Sequence, residues 1–506
     1  MNELAGIVRP FCCLFSAAGH AFLNPPCHGA RKMSEVDKTI SALLDPKELL
    51  DLYFSGKGSL EGRQRMGIEI ETWCVQQQDS GLNPRIRMMS PDESQEILMA
   101  VARNDPQAEI YHEKDGVRLP APRDDAPIVC VNSGGISYQL ELCGALEAAT
   151  RPVESGNLPE LLNLIDDAQD MMRREAGNIG LQIYPCAVPG SIRIEDCGNN
   201  LVKRERLRSE WAKFTAEGPD SAGLRTMGLA TSAQVSLSYK DPREAYEIMS
   251  LANILSPVLY TAFANTTGYA EGKKSTSIPR AEWWLAHNKS APRGGIPNPI
   301  LKAIFSGDPE SMIKEWIGYV RSVPMVYHID KEGLPQFGLS PSFNELACKG
   351  LGTRANFALA ESLVWPDVKL IGGQRIELRM CDTGPWQPAG LAVLAASLFG
   401  SEEVRRTCLS ETFKWAKLDP DALVKSREQV GTMGMDAPFG SRRVKDILPI
   451  LEELILDRMA GFEDRSVRWR TLLEVLETGW SDQMRLAARR YPDARLADLA
   501  VCLERK

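Results

Sequence analysis

Four glutamates, two glutamines and two arginines stand in four short runs of this chain where polar and apolar residues alternate one by one. In Gly67-Ile68-Glu69-Ile70-Glu71 both glutamates fall on one side and both isoleucines on the other. Gln139-Leu140-Glu141-Leu142 repeats the pattern, with Gln139 and Glu141 opposite two leucines. Ser232 to Tyr239 sets Ser232, Gln234, Ser236 and Ser238 against an apolar set. Arg375 to Met380 sets Arg375, Glu377 and Arg379 against Ile376, Leu378 and Met380. An alternation of period two is that of a half-buried strand, so each run presents its polar side chains together on one face. One such strand alone is accounted for by an antiparallel sheet with a solvated face. Here carboxylates recur on three of the four polar faces and lysine is absent from all four runs. Paired strands would set like charges against each other and raise their pKa values, a conflict that a bound cation removes. Oxygen-only donors suit magnesium or manganese, whereas zinc and copper prefer nitrogen and sulfur. Magnesium in so acidic a place usually accompanies substrate phosphate, and Arg379 is the residue type that grips a phosphoryl group bidentately.

Signals of other chemistries are missing. Gly268 to Ser275 imitates a phosphate loop, but three residues separate its glycines where four are needed, and Lys274 intervenes before the serine. There is no G-x-S-x-G, no H-E-x-x-H and no G-x-G-x-x-G after the opening strand. His20, His28, His112, His287 and His328 do not cluster and read as structural or surface residues. The basic run Lys203 to Arg208 reads as the solvated face of a helix.

The elements that must position these residues follow from periodicity. Helical spacing appears at 159–176, 243–263, 309–320, 390–398, 402–417, 444–460, 466–477 and 481–490, so the last hundred residues read as wholly helical. Turn-rich stretches at 121–125 and 292–299 separate helices from strands. Residues 1–40 are expected to be a poorly ordered extension, 41–400 a catalytic domain, and 401–506 a helical part of the same domain. Residues 1–32 carry few charges and read as a targeting peptide or as a start placed too early.

The 506 residues, 43% hydrophobic and 25% charged, suit a large globular core. A net charge of -8 argues against nucleic acid and anionic membranes as partners and for small molecules. No apolar run approaches the ~20 residues that span a bilayer. Twelve cysteines without a framework imply reduced thiols and a cytoplasmic location. Cys12, Cys13, Cys27 and His28 lack the spacing of a zinc site.

From Arg65 to Arg490 the runs together resemble the glutamate-cysteine ligases of the plant and proteobacterial type, within the carboxylate-amine ligase family. Gly67 to Glu71 is similar to that family's G-x-E-x-E strand, and Gly134 to Glu147 to its GG-x-x-E-L-x-G-A-x-L-E segment. Met227 to Leu237 resembles M-x-R-T-x-x-x-Q-V-N-L. Ala264-Asn265, Glu271-Gly272, Arg280 and Trp283 or Trp284 resemble the F-A-N, E-G and R-x-x-x-W run near the substrate pocket. Val323-Pro324-Met325 fits the next motif, and Arg375 to Asp382 is similar to Y-L-E-x-R-x-x-D. The resemblance implies an α+β fold related to glutamine synthetase, a curved antiparallel sheet with helices on its apolar face and the site on its polar face. It implies Glu69, Glu71, Glu141, Glu147, Gln234 and Glu377 as metal positions, and Glu377 and Arg379 at ATP. Arg379 and Glu69 are the implied catalytic residues, with Arg280, Trp284 and Gln139 at the substrate. The implied reaction uses ATP and Mg2+, with Mn2+ as a substitute, to activate glutamate as an acyl phosphate and join it to cysteine, in a monomer or homodimer.

Two departures stand out. Glu141 and Glu147 lie six apart where the family has seven. Leu229 stands where the family has an arginine that holds the amino-acid substrate, with Arg225 the nearest guanidinium before it. Another acid or amine of the same family is therefore a second expectation. A guanidino-type phosphotransferase and a silent scaffold are the rivals from outside it.

Overall fold

The computed structural model describes Tyr53 and residues 64–78, 85–114, 117–120, 126–198, 201, 205–216, 222–275, 278–287, 293–337, 341–372, 375–459 and 493–503. The helices expected at 466–477 and 481–490, the turn at 121–125, the extension 1–40 and the Cys12, Cys13, Cys27, His28 group lie outside them.

The frame is a 12-stranded sheet in which every named pairing is antiparallel. Its strands are β1 (Arg65–Gln78), β2 (Arg85–Met88), β3 (Glu109–Lys114), β4 (Val117–Pro120), β5 (Ile128–Ser133), β6 (Ile136–Leu140), β7 (Ala145–Thr150), β8 (Val153–Glu154), β9 (Gln182–Ile183), β10 (Ser232–Ser238), β11 (Val368–Ile371) and β12 (Arg375–Asp382). The order is β11-β12-β10-β1-β7-β6-β5-β3-β4, with β2, β8 and β9 also on β1. The α+β class expected from the sequence is the class observed.

The alternation explains why these runs become strands. Ile68, Ile70, Val235, Leu237, Ile376 and Leu378 are all buried on the apolar side. Helices α1 (Leu158–Asn178), α2 (Pro242–Ala262) and α3 (Gln387–Phe399) pack against the sheet. Helix α2 is apolar nearly all round and almost entirely buried, as a helix must be when it is covered on both sides. These three match the spans expected at 159–176, 243–263 and 390–398, and helices Pro309–Ser322 and Glu402–Ala416 match two more.

Other expectations need correction. The run Gln139 to Leu142 is not all strand, because β6 ends at Leu140 and Leu142–Gly144 forms a tight turn. Cys143 and Gly144 both take positive φ there, 59° and 86°, which no strand accommodates. The region after 401 is not wholly helical either, since Pro438–Phe439 pairs with Arg442–Arg443. The span 444–460 splits into a short turn, Val444–Asp446, and a helix, Leu448–Met459. Helix Pro91–Arg103 was not expected, although Ser90 and Glu93 form the reciprocal cap that marks a helix start. The turn-rich stretch at 292–299 runs directly into a helix, Asn298–Ser306. No described helix is long and apolar enough to cross a membrane, and the nine described cysteines are all unbridged.

Candidate active site

Strand register lays the polar side chains out as rows. Glu69 of β1 stands opposite Gln234 of β10. Glu71 stands opposite Glu147 of β7, which in turn stands opposite Gln139 of β6. On the other side Ser236 of β10 stands opposite Glu377 of β12, and Glu377 opposite Lys369 of β11. All these positions share one parity and therefore one face of the sheet.

The rows are tied together by side-chain hydrogen bonds. Gln234 Nε2 donates to Glu71 Oε1 at 2.7 Å, while Gln234 Oε1 accepts from Arg379 Nη1 at 2.5 Å. The backbone amide and the hydroxyl of Ser232 both donate to Glu71 Oε2, at 2.7 and 2.8 Å. Arg379 also contacts Glu377. Arg375 lies 3.9 Å from Glu69 and 3.8 Å from Glu377. Gln139 Nε2 donates to Glu147 Oε1 at 3.0 Å.

Arg379 is aimed by an irregularity in the sheet. The pairing of β10 with β12 slips between Ala233 and Val235, which leaves an extra residue on β12 at Arg379 and Met380. Such a bulge re-aims a side chain and is common beside active sites. Arg280 holds it in place: Nη1 donates to Met380 O at 2.9 Å and Nη2 to Arg379 O at 2.5 Å. The Arg379 amide donates to Asp367 O at 3.0 Å.

Electrostatics separates the two central carboxylates. Burial raises the Glu69 carboxyl above its usual range, and neighbouring Glu377 adds to the rise against the pull of Arg375 and Arg379. Burial acts on Glu377 in the same direction, but Arg379, Lys369 and Arg375 outweigh it and hold that carboxyl well below the usual range. Glu377 is therefore the ionised member of the pair. Lys369 is drawn down to about 8 by burial, with Glu377 opposing.

Most of these residues line one cavity that opens to solvent, with room for about 130 Å³ of water-sized occupants. One end holds Glu377, Arg379 and Lys369. Farther along the sheet it is lined by Glu71, Glu141 and Glu147, and Glu210, Trp284 and Trp365 complete the lining. Behind Trp284 sits His287, its ring centroid 5.7 Å from that of Trp284 and 6.0 Å from that of Trp365. Burial lowers its pKa to about 3, so it is neutral.

A solved ligase shows a weak backbone likeness. It is the complex between the prokaryotic ubiquitin-like protein Pup and its ligase PafA, at 10% identity and a TM-score of 0.31, over 84% of this chain. The chain spans 65% of the length of that one, and the likeness at this score carries no argument about the site. No family model and no curated protein matches the sequence.

All ten residues named from the sequence, Glu69, Glu71, Gln139, Glu141, Glu147, Gln234, Arg280, Trp284, Glu377 and Arg379, line this one cavity. Their situations differ from simple expectation in three respects. Arg280 directs its terminal nitrogens at backbone carbonyls of the bulge, so it positions Arg379. Gln234 has its amide engaged between Glu71 and Arg379. Leu229 is buried, and Arg225 gives its Nε to Glu271 at 2.6 Å, outside the cavity wall.

Lys369, Trp365 and Glu210 were not foreseen. The polar face does carry a lysine, on a strand that the sequence did not reveal. Val368-Lys369-Leu370-Ile371 is only four residues long and reads as an apolar run, but a single charge inside such a run is the available signal.

The donor set fits a hard cation. The described wall of the cavity offers carboxylates and amides, with no histidine or cysteine. Among the described residues no three His, Cys, Asp or Glu side chains stand together as a ready metal group.

Proposed function

We propose that this chain is an ATP-dependent carboxylate-amine ligase that activates the side-chain carboxylate of glutamate and joins it to cysteine, giving γ-glutamylcysteine for glutathione synthesis in the cytoplasm. The observation that carries it is the placement of Arg379 between Glu377 and Gln234 on the wall of a cavity that is lined farther along the sheet with carboxylates. The order of motifs resembling the glutamate-cysteine ligases supplies the substrates.

In this reaction a substrate carboxylate oxygen displaces ADP from the γ-phosphorus, and the amine nitrogen then attacks the acyl phosphate. Phosphate leaves with the proton that nitrogen gives up. Arg379 gathers the charge on the transferring phosphoryl group. Glu69, Glu71, Glu141, Glu147 and Glu377, with Gln234, would hold magnesium, which supplies positive charge to the triphosphate oxygens. Ser232 and Gln234 fix the orientation of Glu71, and Arg280 fixes the bulge that presents Arg379. Trp284 and Gln139 border the room left for the substrates.

A second reading is favoured by one observation. Leu229 is buried and Arg225 is engaged by Glu271, so the guanidinium that would hold an amino-acid carboxylate is missing from its expected place. A different acid or amine then fills the same site. The test is ADP release measured over a panel of acidic amino acids crossed with amines, cysteine first. A ligase turns ATP over repeatedly only when both partners are present. Sustained turnover with one partner alone would show a phosphotransferase, and none with any pair would sink the assignment.

A further inference from the structure

Lys369 is a buried cation that the carboxylates of Glu377 and Glu361 offset only from a distance. Its side chain is 5% exposed and lines the cavity beside Arg379 and Glu377. An ammonium offers three donors, and among the described residues its one hydrogen bond is to Ser362 O at 3.5 Å, the outer limit of such a bond. Among the described residues it makes no ion pair within 4.0 Å, although Glu377 stands directly opposite in the strand register. Glu377 is already engaged by Arg379 and approached by Arg375. Burying an ammonium costs several kcal/mol unless an anion compensates it. Lys369 and Arg379 thus stand together on the cavity wall, with Arg375 close to Glu377, while Glu71, Glu141 and Glu147 line the cavity farther along the sheet.

Polyanions are what such a wall accommodates. A substrate carboxylate occupies one guanidinium, whereas a phosphate chain spreads its charge over several oxygens and several donors. Lysine holds phosphate as a point charge beside the fork of an arginine.

We propose that Lys369 is a second phosphate-contacting residue, its ammonium binding the non-bridging oxygens of a nucleoside triphosphate next to Arg379. This rests on the ligase reading above, and it names a residue that the motifs did not contain.

The test uses the full chain and its own chemistry. Methyl acetimidate modifies amines, and the rate of labelling at Lys369 is followed by mass spectrometry with and without inorganic tripolyphosphate. Contact predicts that tripolyphosphate and ATP slow the labelling about ten-fold or more, while adenosine and glutamate leave it unchanged. The variants Lys369→Met and Lys369→Arg are then compared for binding by isothermal titration calorimetry. Lys369→Met should weaken ATP about ten-fold with adenosine unaffected, and Lys369→Arg should recover part of the loss. Equal weakening of ATP and adenosine means a structural role and overturns the proposal, as does labelling slowed by glutamate and not by tripolyphosphate. If the unmodified protein binds no ATP, the ligase reading falls and this proposal with it. If it binds ATP with Lys369 unprotected, this proposal alone falls. Should Lys369→Met not fold, the labelling experiment still decides.

Discussion

Gln234 accepts a 2.5 Å hydrogen bond from Arg379 through one end of its amide and with the other end donates to Glu71 at 2.7 Å. An amide can satisfy a guanidinium and a carboxylate at once, because it carries an acceptor and a donor on one planar group. Gln234 thereby holds the Arg379 guanidinium at a fixed distance from the Glu71 carboxylate. Replacing it by leucine leaves a buried donor and a buried acceptor unmade, each of which costs about 1–3 kcal/mol. Gln234→Leu should lower ATP turnover about 10- to 100-fold and lower the urea midpoint. Gln234→Glu keeps the acceptor for Arg379 but faces Glu71 with a second acceptor, so it should fail as well. Wild-type turnover in both variants would remove Gln234 from the site.

Arg379 contacts Glu377 and Gln234 through Nη1, and its buried Nε has no partner among the described residues. A guanidinium holds its donors in a plane, whereas an ammonium presents a point charge. Arg379→Lys keeps the charge and loses the fork, and it should reduce turnover about 100-fold or more while the protein remains folded. Arg379→Ala and Glu69→Ala should each abolish ATP consumption. Near-normal rates with Arg379→Lys would mean that charge alone suffices there.

The parts of the site that were legible in the sequence were those written at short range. Period-two alternation at 67–71, 232–239 and 375–380 was enough to place Glu69, Glu71, Gln234, Glu377 and Arg379 on one face. What the sequence hid was set by partners far away. The bulge at Arg379 exists only in the pairing of β10 with β12, and the grip of Arg280 on Met380 O spans 100 positions. Lys369 was missed because four residues give too little alternation to separate a strand from an apolar run. Glu141 was placed on a strand that ends one residue earlier, because the turn depends on Cys143 accepting a positive φ, for which cysteine carries no signal. Helix Pro91–Arg103 was the avoidable omission, since its Ser90 and Glu93 cap is a local pattern.

Arg427 of helix Pro420–Met433 forms a buried bidentate pair with Asp367, at 2.6 and 3.2 Å. Ser256 and Tyr260 of α2 donate to the same carboxylate, at 2.5 and 3.0 Å. The carbonyl of Asp367 in turn receives the Arg379 amide, so the pair anchors the bulge from behind. Removing one partner of a buried pair leaves the other charge uncompensated and costs about 3–5 kcal/mol. Arg427→Met should lose that much in urea denaturation, and the double variant Arg427→Met, Asp367→Asn should regain part of it. A single variant as stable as wild type would show that the pair does not anchor the helix.

His287 gives the fold a predictable acid limb. Its ring is packed among Trp284, Trp365 and Phe214, and its Nδ1 lies 3.2 Å from Thr226 Oγ1. Burial lowers its pKa from 6.5 to about 3, with Arg293 adding to the fall. Between those values the unfolded chain binds a proton that the folded chain refuses. Its contribution is therefore whole above pH 6.5 and is lost as the pH falls towards 3. The slope for one such group is at most about 1.4 kcal/mol per pH unit. His287→Phe keeps an aromatic ring in the stack and removes the titration, so its stability should fall less steeply with acid over that window. Unfolding by urea at several pH values reads both slopes, and parallel slopes would show that His287 is not protonated on unfolding.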